Sequence, residues 1–557
     1  MKKVLIINLE GAEEVYTSAL LIGSIQAQYP NAMIDLLVTE KTEAIASSFN
    51  SVHKIHVINT ARIKQLVKNQ IFSNALAITS FYKDIKPVKE SNWEIVINYS
   101  DTPLGNYICS YLTYNDKNCK TVGSRIASSG TVEFVDDWSF LCNKGTSTLN
   151  MGPVHKLDYM IKSLAITWHP SKSILKTNPQ HDLLVRNNIN SIRKRYSTSQ
   201  TNIEIVAIYF DSKKTLELIK FTQLLELLGD LLDDPSYYPL VIIPTEEEDR
   251  IYAQEINKHF DHAISIIEAD VSTLPSVVSN CDIIISANNI VNKIANLQFI
   301  PLIALNSYYD DNDLSIPVLK NDFIISAMPS HKITNFDILC ALKCQSNERF
   351  EQHSSTSKGV AIRRVCRDQV GTYLSYVAGD VEGDHEIARI MSRIFLASYF
   401  NFQNNGHLYT EALKYSNEHI RNWITREKEI ITELTRDLLG TLRSLIASTN
   451  SSKAASEFIS YLDKIISYAE INSIVAIASN EFINRLNQLQ HTSTEQNKKQ
   501  MELLLYNLKM RVQSIVSSLQ NLEQQWNKAQ EETLTNKNSR SVQRTAPARE
   551  GTINASI

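Results

Sequence analysis

Short apolar runs alternate with helical patterns over residues 1–170. Four runs rich in Val, Leu and Ile are predicted to be strands: residues 4–7, 34–38, 55–58 and 94–98. Between the first two runs, the spacing of apolar residues predicts a helix over residues 14–29. Strands without an alternating polar face, separated by helices, are typical of a parallel sheet covered on both sides. The pattern predicts an α/β fold, with a Rossmann-like domain over residues 1–170.

The same pattern starts again after a polar stretch, residues 176–202, which we interpret as a connecting helix and linker. Two helices are predicted over residues 216–232 and 247–259. Five further strands are predicted over residues 203–208, 238–243, 264–267, 283–286 and 302–305. We therefore expect a second Rossmann-like domain over residues 200–345. Two such domains would bind a small ligand in the cleft between them, at the carboxyl ends of the strands.

The apolar pattern becomes helical over residues 350–530. Eight apolar residues alternate in spacings of four and three: Met501, Leu505, Leu508, Val512, Ile515, Leu519, Leu522 and Trp526. This heptad spacing predicts a long helix. The helix is either part of a coiled coil that forms a homo-oligomer through residues near 501–526, or a member of the chain's own helical bundle. The last segment, residues 531–557, is predicted to be disordered.

Composition excludes several classes of function. The 557 residues include 56 Lys and Arg against 60 Asp and Glu, and the net charge of −4 provides no general attraction to nucleic acid or anionic lipid. No apolar run reaches the roughly 18 residues that a transmembrane helix needs. The seven cysteines have no paired C-x-x-C spacing, which favours reduced thiols in a cytoplasm. We therefore expect a cytoplasmic protein.

Carboxylates follow the first predicted strand, where the loop leads into the first helix. Glu13 or Glu14 could act as a general base toward an acceptor hydroxyl at this position. The alternative is that both residues only stabilise the helix N-terminus by charge–dipole attraction. The loop lacks the G-x-G-x-x-G sequence, so the dinucleotide-binding fingerprint is absent.

Three clusters contain metal-ligand residue types, and each has a purely structural interpretation. Residues 310–313 (Asp-Asp-Asn-Asp) fit a solvated turn, and residues 380–386 (DVEGDHE) fit an acidic loop that caps a helix. Cys340 and Cys344 are four residues apart and could share a helix face. We favour the structural interpretation for all three and expect no metal.

The opening segment resembles the start of the heptosyltransferase family (glycosyltransferase family nine, of GT-B architecture). Residues 29–38, YPNAMIDLLV, match that family's "YP-A-ID-LV" segment, and residues 93–100, WEIVINYS, resemble its "D-VINLQ" strand. Val122-Gly123 resembles its "R-IG" turn, and His155 resembles the start of its "H-V-R-L-L" helix. The resemblance covers about residues 1–345.

The second domain continues this resemblance and supplies candidate donor-binding residues. Residues 210–228 resemble the family's phosphate-binding loop and following helix, which implies that Ser212 and Lys214 bind the donor. Residues 242–256 resemble the segment whose glutamate holds the donor ribose, which implies Glu246 or Glu248. Residues 274–305 resemble the family's "DTG--HLA" block.

This chain departs from the family at two points. Where the family has Gly-Asp, the chain has Glu13-Glu14, so that the implied base is Glu14, or Glu13 if the loop shifts. Where the family has Asp-Thr-Gly and then a histidine, the chain has Asn288-Asn289-Ile290 and Lys293, which are the implied donor-binding residues. Replacing glycine by isoleucine prevents the backbone from approaching phosphate as closely.

The resemblance implies a metal-independent inverting glycosyltransferase without a cofactor. It also implies a bacterial protein, either cytoplasmic or peripheral to the inner membrane. Such an enzyme would move a heptose-like sugar from a nucleoside diphosphate to a surface glycan, a lipopolysaccharide or a protein. The alternative is a catalytically degenerate scaffold of GT-B type that acts through its helical domain. The altered segment Asn288-Asn289-Ile290 favours the scaffold, whereas the retained Lys214 and the carboxylates of the first loop favour the enzyme.

Overall fold

The computed structural model describes residues 2–68, 73–100, 102–114, 116, 118–128, 130–143, 154–169, 175–196, 203–307, 317–346, 356–379, 383–402, 405–447, 452–471, 473–487 and 494–544. The chain divides into unit 1, Met1–Glu382 with Ile483–Gln488, and unit 2, Gly383–Phe482 with Leu489–Ile557. The predicted turn at residues 310–313, and residues 380–382 of the predicted acidic loop, lie outside the described residues.

Unit 1 begins with a five-stranded parallel sheet of order β3-β2-β1-β4-β5. Its strands, with a small separate hairpin, are β1 (Lys3–Ile7), β2 (Met33–Thr39), β3 (Lys54–Ile58), β4 (Ile95–Asn98), β5 (Lys120–Val122), β6 (Ser124–Ile126) and β7 (Val132–Phe134). The helices are α1 (Ala12–Gln28), α2 (Glu43–Ser47), α3 (Thr60–Val67), α4 (Ser73–Lys89), α5 (Pro103–Thr113), α6 (Asp137–Asn143), α7 (Lys156–Leu164) and α8 (Pro179–Tyr196). The central strands are apolar because they are buried on both faces.

A second sheet follows, of order β10-β9-β8-β11-β12-β13-β14-β15, and it is parallel as far as β13. Its strands are β8 (Glu204–Tyr209), β9 (Tyr237–Ile243), β10 (Ser265–Glu268), β11 (Ile283–Ser286), β12 (Leu302–Ser307), β13 (Phe323–Ala327), β14 (Val360–Arg367) and β15 (Thr372–Gly379). The helices are α9 (Ser212–Leu218), α10 (Phe221–Asp233), α11 (Glu247–His259), α12 (Leu274–Val278), α13 (Asn289–Gln298) and α14 (Asn335–Ser346). The predicted fold class, two Rossmann-like sheets followed by a helical region, is confirmed.

The second sheet extends further along the chain than the sequence pattern predicts. The hairpin β14–β15 lies in the region that we expected to be helical from residue 350 onward, and it pairs antiparallel with β13. Unit 2 accordingly starts at Gly383. Both strands are rich in β-branched and aromatic residues, so the signal is present in the sequence, and the boundary at residue 350 is corrected on this observation.

The helix predicted over residues 216–232 is interrupted at Ile219. This residue is extended and forms a bridge with Ile333, and both side chains are buried. Burying these two side chains stabilises the fold more than a continuation of the helix through Ile219 would. The interruption separates α9, which carries the predicted phosphate-binding residues, from α10, which packs in the core.

Unit 2 is helical. It contains α15 (Gly383–Tyr399), α16 (Gly406–Ala412), α17 (Asn417–Ala447), α18 (Ser452–Ser467), most of α19 (Val475–Asn487) and α20 (Thr494–Arg544). The inner six heptad positions of α20 are buried, from Leu505 to Leu522, and α20 packs against α15 and α17. The stripe is therefore used inside the chain, as in the bundle alternative, and a homo-oligomer through residues 501–526 stays a prediction. Helix α20 continues to Arg544, past residue 531, where the sequence predicts that disorder begins.

None of the described helices is both long enough and apolar enough to cross a membrane.

Within unit 1, a buried carboxylate joins the first α/β half to the β14–β15 hairpin. Asp158 of α7 is 1% exposed, accepts a hydrogen bond of 2.7 Å from the backbone N–H of Thr372, and forms an ion pair with Arg367. The Arg367 guanidinium lies 4.3 Å from the centre of the Trp168 ring. Gly371 has φ +146°, and a Cβ there would lie 2.6 Å from Asp158, so that only glycine permits this approach.

We predict that Asp158→Ala lowers the free energy of unfolding of unit 1 by about 3–5 kcal/mol, because it leaves a guanidinium and an amide without their acceptor. Urea unfolding measures this change. Glu90→Ala, which removes the exposed pair with Lys86, is the control and should cost less than about 1 kcal/mol. Equal losses in the two variants would contradict the structural role of Asp158.

Candidate functional site

The first-loop carboxylates lie where the strand order of the first sheet reverses, between β1 and β4. Buried Asn8 shapes the loop, since its Nδ2 donates to the Glu14 carbonyl at 3.0 Å and its Oδ1 accepts from the Glu10 amide at 3.3 Å. The Leu9 amide donates to Ser100 Oγ at the end of β4. These bonds start α1 at Ala12 and place Glu13 and Glu14 in its first turn.

Glu14 has the electrostatics of a base. Burial raises the pKa of its carboxyl, and repulsion by Glu10 and Glu13 adds to that effect. A hydrogen bond from its own backbone N–H and the charge of Lys156 act in the opposite direction, and the net result is a pKa above the ordinary value of 4.5. A carboxylate with a raised pKa accepts a proton more readily than a solvated one.

Lys156 is a residue that the sequence analysis missed. It begins α7, directly after His155, and its ammonium lies 4.9 Å from the centre of the Tyr99 ring. Only 9% of its surface is exposed. In the sequence, Lys156 is marked only by its position after His155, which resembles the family's histidine. The sequence does not show that Lys156 lies close to Glu14.

Glu13 connects the first loop to the second sheet. Its Oε2 accepts a hydrogen bond from Asn289 Nδ2 at 3.3 Å, and helices α1 and α13 pack against each other. Asn289 is the first residue of α13, at the carboxyl end of β11. The structure therefore brings a predicted base residue and a predicted donor-binding residue together.

Two cavities lie at the carboxyl ends of the second sheet, on either side of the point between β8 and β11 where its strand order reverses. The β9-side cavity has a volume of about 260 Å³, and the β12-side cavity about 510 Å³. The β9-side cavity is lined by Tyr209, Asp211, Lys213, Pro244, Thr245, Glu246, Asp249, Ala269, Asp270, Val271, Leu274, Asn288, Ile290 and Val291. The β12-side cavity is lined by Lys214, Glu217, Leu218, Ala287, Asn289, Asn306, Ser307, Ala327, Met328, Pro329 and His331.

Most carboxylates of the β9-side cavity already hold the loops in place. Asp211 accepts hydrogen bonds from the Lys214 amide and from Asn288 Nδ2. Asp249 is buried and accepts from the Ser212 amide at 2.7 Å. These bonds fix the loop after β8, so that the predicted phosphate-binding segment has a defined backbone.

Tyr209 forms part of the same wall and is 7% exposed. Burial, followed by the negative charges of Asp211, Glu246 and Asp249, raises the pKa of its phenol. The phenol therefore stays protonated at physiological pH, and a ligand in the cavity meets a buried O–H donor beside three carboxylates.

Asn288 occupies the N-terminus of α13 with its own side chain. Its Oδ1 accepts from the amides of Ile290 and Val291, at 3.0 and 3.5 Å. These are the amides that a glycine turn would leave available to an anion. A donor phosphate at this position would have to displace the Asn288 side chain or obtain its partners elsewhere.

The remaining predicted donor-binding residues do not line one common cavity. Lys214 lines the β12-side cavity, whereas its neighbour Lys213, which the sequence analysis did not single out, lines the β9-side cavity. Glu246 lines the β9-side cavity, and Glu248 is exposed outside the lining described above. Ser212 is buried.

Lys293 lies inside the protein rather than at the surface of a cavity. It is 1% exposed, and its charge acts on the buried carboxyl of Asp322. Burial nevertheless dominates at Asp322 and raises its pKa well above the ordinary value. The predicted role of Lys293 near a diphosphate has no support in this position.

The described residues contain no group of three or more His, Cys, Asp or Glu side chains arranged to hold a metal ion. Cys340 and Cys344 both lie buried in α14.

No family model matches the chain, and a search of curated proteins found no match either. Among solved structures, the chain is similar to a glycosyl transferase family 9 protein from Veillonella parvula, with 12% identity over 62% of this chain and 97% of that one, and a TM-score of 0.45. It is similar to E. coli heptosyltransferase WaaC with ADP, with 12% identity over 62% of this chain and 99% of that one, and a TM-score of 0.42.

Both of these structures are named as members of the family that the sequence resembles. At these identities and TM-scores, the reaction has to be argued from the residues of this chain.

We predict that two single substitutions shift the pKa of Glu14 in opposite directions. Glu10→Gln should lower it by removing a repelling charge, and Lys156→Met should raise it by removing an attracting one. Carbodiimides modify protonated carboxyl groups, so that the pH dependence of Glu14 modification, followed by peptide mass spectrometry, gives the shift. Glu43→Gln in the first turn of α2 is the control. Shifts of the same sign would contradict the described environment of Glu14.

Proposed function

We propose that the protein is a glycosyltransferase that moves a sugar from a nucleoside diphosphate to an acceptor hydroxyl. The observation that carries this proposal is the juxtaposition of Glu14 with the second sheet through Glu13 and Asn289. Glu13, which precedes Glu14 in the first turn of α1, contacts Asn289, and Asn289 lines the β12-side cavity at the carboxyl ends of a Rossmann-like sheet. This edge of such sheets is where nucleotides bind.

The proposed reaction is a direct displacement that inverts the anomeric centre. Glu14 accepts the proton of the acceptor hydroxyl, and the oxygen forms a bond to the anomeric carbon. The bond between that carbon and the diphosphate oxygen breaks at the same time, and its electron pair leaves with the nucleoside diphosphate. Attack opposite the leaving group gives the inverted product.

We assign the stabilisation of the negative charge on the leaving diphosphate to two lysines. Lys213 and Lys214 are exposed, follow β8 directly, and line the two neighbouring cavities. A diphosphate that spans the point between β8 and β11 lies within reach of both ammonium groups. Since Asn288 already occupies the α13 amides, we propose that these lysines stabilise the departing charge without a metal ion.

Donor sugar and acceptor follow from the sequence resemblance. A heptose-like sugar, and a surface glycan, a lipopolysaccharide or a protein as acceptor, are the proposed substrates. The acceptor side carries the three carboxylates Glu10, Glu13 and Glu14 against Lys156. This balance favours a neutral hydroxyl-bearing group at the point of attack.

A second candidate, the catalytically degenerate scaffold, is favoured by the α13 N-terminus. Asn288 fills the position of the family's phosphate-binding turn with its own side chain, and Lys293 is buried. Such a protein would keep the fold and the cleft while lacking turnover. The following experiments separate the two candidates.

We expect Glu14→Gln to lower turnover by about 10²–10⁴-fold, because a general base typically contributes that much. Water is the smallest acceptor hydroxyl, so that release of nucleoside diphosphate from ADP-, GDP- and UDP-sugars can be measured before the acceptor is identified. NMR of the released sugar reports its anomeric configuration.

Glu43→Gln, a glutamate in the first turn of another helix of the same half, is the control and should keep full turnover. Unchanged turnover in Glu14→Gln would overturn the assignment of the base. A retained anomeric configuration would overturn direct displacement, and a folded protein without turnover of any donor would favour the scaffold.

We expect Lys213→Ala and Lys214→Ala each to weaken nucleoside diphosphate binding by about tenfold, since each removes a charge-assisted hydrogen bond to phosphate. Binding of the unphosphorylated nucleoside should be unchanged. Calorimetry with the diphosphates and nucleosides measures both effects.

Lys258→Ala is the control, since this exposed lysine lies in the last turn of α11. If neither Lys213→Ala nor Lys214→Ala changes the affinity for the diphosphate, the proposed phosphate position is wrong.

A further inference from the structure

A surface of unit 1 outside the cavities carries a local excess of positive charge. Residues 60–90, which contain α3 and α4, include six Lys and Arg against two Asp and Glu, whereas the whole chain has a net charge of −4. The positive charge of this segment is therefore local, and the net charge of the chain does not show it.

Most of these cations are available to a partner. The sixth, Lys89, donates hydrogen bonds to two backbone carbonyls of α5. Of the two acids, Asp84 accepts from the backbone N–H that precedes α3, and Glu90 forms only an exposed pair with Lys86 at 3.8 Å. The other five cations are exposed to solvent: Arg62, Lys64, Lys68, Lys83 and Lys86.

Large apolar side chains are exposed on the same three helices. Ile78, Tyr82 and Lys86 are four residues apart along α4 and therefore lie in one row on its surface. Helix α5 contains no charged residue. Five apolar side chains are between 44% and 67% exposed: Val67 in α3, Leu76, Ile78 and Tyr82 in α4, and Tyr107 in α5.

These side chains belong to one surface, because α4 lies beside both of the other helices. Helix α3 packs against α4 and contains no buried residue of its own. On α5, the Tyr107 ring lies 6.4 Å from the ring of Phe81 in α4, measured between centroids. We call the five exposed cations and the five exposed apolar residues the α3–α5 face.

A bilayer with anionic headgroups fits this combination of side chains. Lipid phosphates attract Lys and Arg, aliphatic side chains enter the boundary between headgroups and acyl chains, and tyrosine is enriched at that level. A nucleic acid would use the cations through its phosphates, but it would leave Val67, Leu76 and Ile78 in water. The apolar half of the face therefore favours a lipid surface over another polyanion.

We propose that the α3–α5 face docks unit 1 on a bilayer that contains anionic phospholipids, as a peripheral contact at the level of the headgroups. The inference goes beyond the proposed function and does not depend on it, since no residue of the face lines the β9-side or the β12-side cavity.

The test measures sedimentation of the full chain with vesicles of phosphatidylcholine, and with vesicles of equal parts phosphatidylcholine and phosphatidylglycerol. We expect at least about tenfold tighter binding to the anionic vesicles, because each Lys or Arg near an anionic surface strengthens binding about fivefold. Sodium chloride should weaken this binding, since it screens the charges.

The double variant Lys83→Gln with Lys86→Gln should weaken binding to the anionic vesicles by about 25-fold, because two cations are lost. The control is Lys194→Gln with Lys258→Gln, which removes the same charge from exposed lysines of α8 and α11. It should change binding by less than about twofold, since salt screens charges that lie away from the membrane.

The double variant Ile78→Ser with Tyr82→Ser tests the apolar half of the face. It should weaken binding to the anionic vesicles by about tenfold, because two apolar side chains no longer enter the lipid boundary. The matched control is Leu183→Ser with Leu184→Ser, which alters two exposed leucines of α8 and should leave vesicle binding unchanged.

Equal binding to the two kinds of vesicle, or equal losses in the two lysine variants, would overturn the proposal. An Ile78→Ser, Tyr82→Ser variant that binds vesicles as the unaltered protein does would also overturn it. So would a chain that binds RNA or polyglutamate through Lys83 and Lys86 but binds no vesicle. If a variant does not fold, the comparison of the two kinds of vesicle with the unaltered protein still decides. The vesicles contain no sugar donor, so that none of these outcomes bears on the proposed function.

Discussion

The buried Asp158 carboxylate is the contact on which the arrangement of the two α/β halves depends. A carboxylate that is 1% exposed must be paired, and its partners, Arg367 and the Thr372 amide, come from the hairpin that extends the second sheet. An arrangement that removed these partners while Asp158 stayed buried would leave its charge without compensation. The pairing also explains Gly371, where a side chain would occupy the space of Asp158. With the halves fixed in this way, Glu13 accepts a hydrogen bond from Asn289, which lines the β12-side cavity.

Electrostatics in this cleft act over short distances. The chain as a whole is slightly acidic, and the β9-side cavity is lined by four carboxylates and one lysine. Attraction for a nucleoside diphosphate cannot arise from such a field. In the proposed function it comes from Lys213 and Lys214 at the loop after β8, and the carboxylates would accept hydrogen bonds from neutral donors of the nucleoside. The pKa of Glu14 likewise rises because burial, together with two glutamates, outweighs its backbone amide and Lys156.

The sequence predicts the strands that one strong local pattern, a continuous apolar run, specifies. Strands such as β11 and β12 are continuous apolar runs, and the structure places both near the predicted positions. The β14–β15 hairpin was missed although its composition favours strands, because the neighbouring sequence is helical in character. The break at Ile219 could not be predicted from local spacing, since its cause is a partner, Ile333, more than a hundred residues away.

The candidate site, too, is predictable from the sequence only where the local pattern specifies it. A family-like carboxylate after β1 and the acidic segment after β9 are visible in the sequence because each follows a strand. Which of two adjacent lysines faces which cavity depends on where α9 begins, and Asp211 determines that by accepting from the Lys214 amide. Lys156 carries no motif, and its effect on Glu14 follows only from the fold.

The turn at Asn288 has the widest consequence for how a ligand would bind. Asn288 satisfies the amides of Ile290 and Val291 with its Oδ1, and its Nδ2 donates to Asp211. One side chain thereby ties the loop after β8 to the loop after β11, and the stabilisation of the cleft no longer depends on a bound anion. In the proposed binding mode, the phosphate partners are the exposed side chains of Lys213 and Lys214, and affinity for the diphosphate depends on these two charges. The buried groups of the β9-side cavity, Tyr209 and Asp249, would then contribute to specificity rather than to attraction.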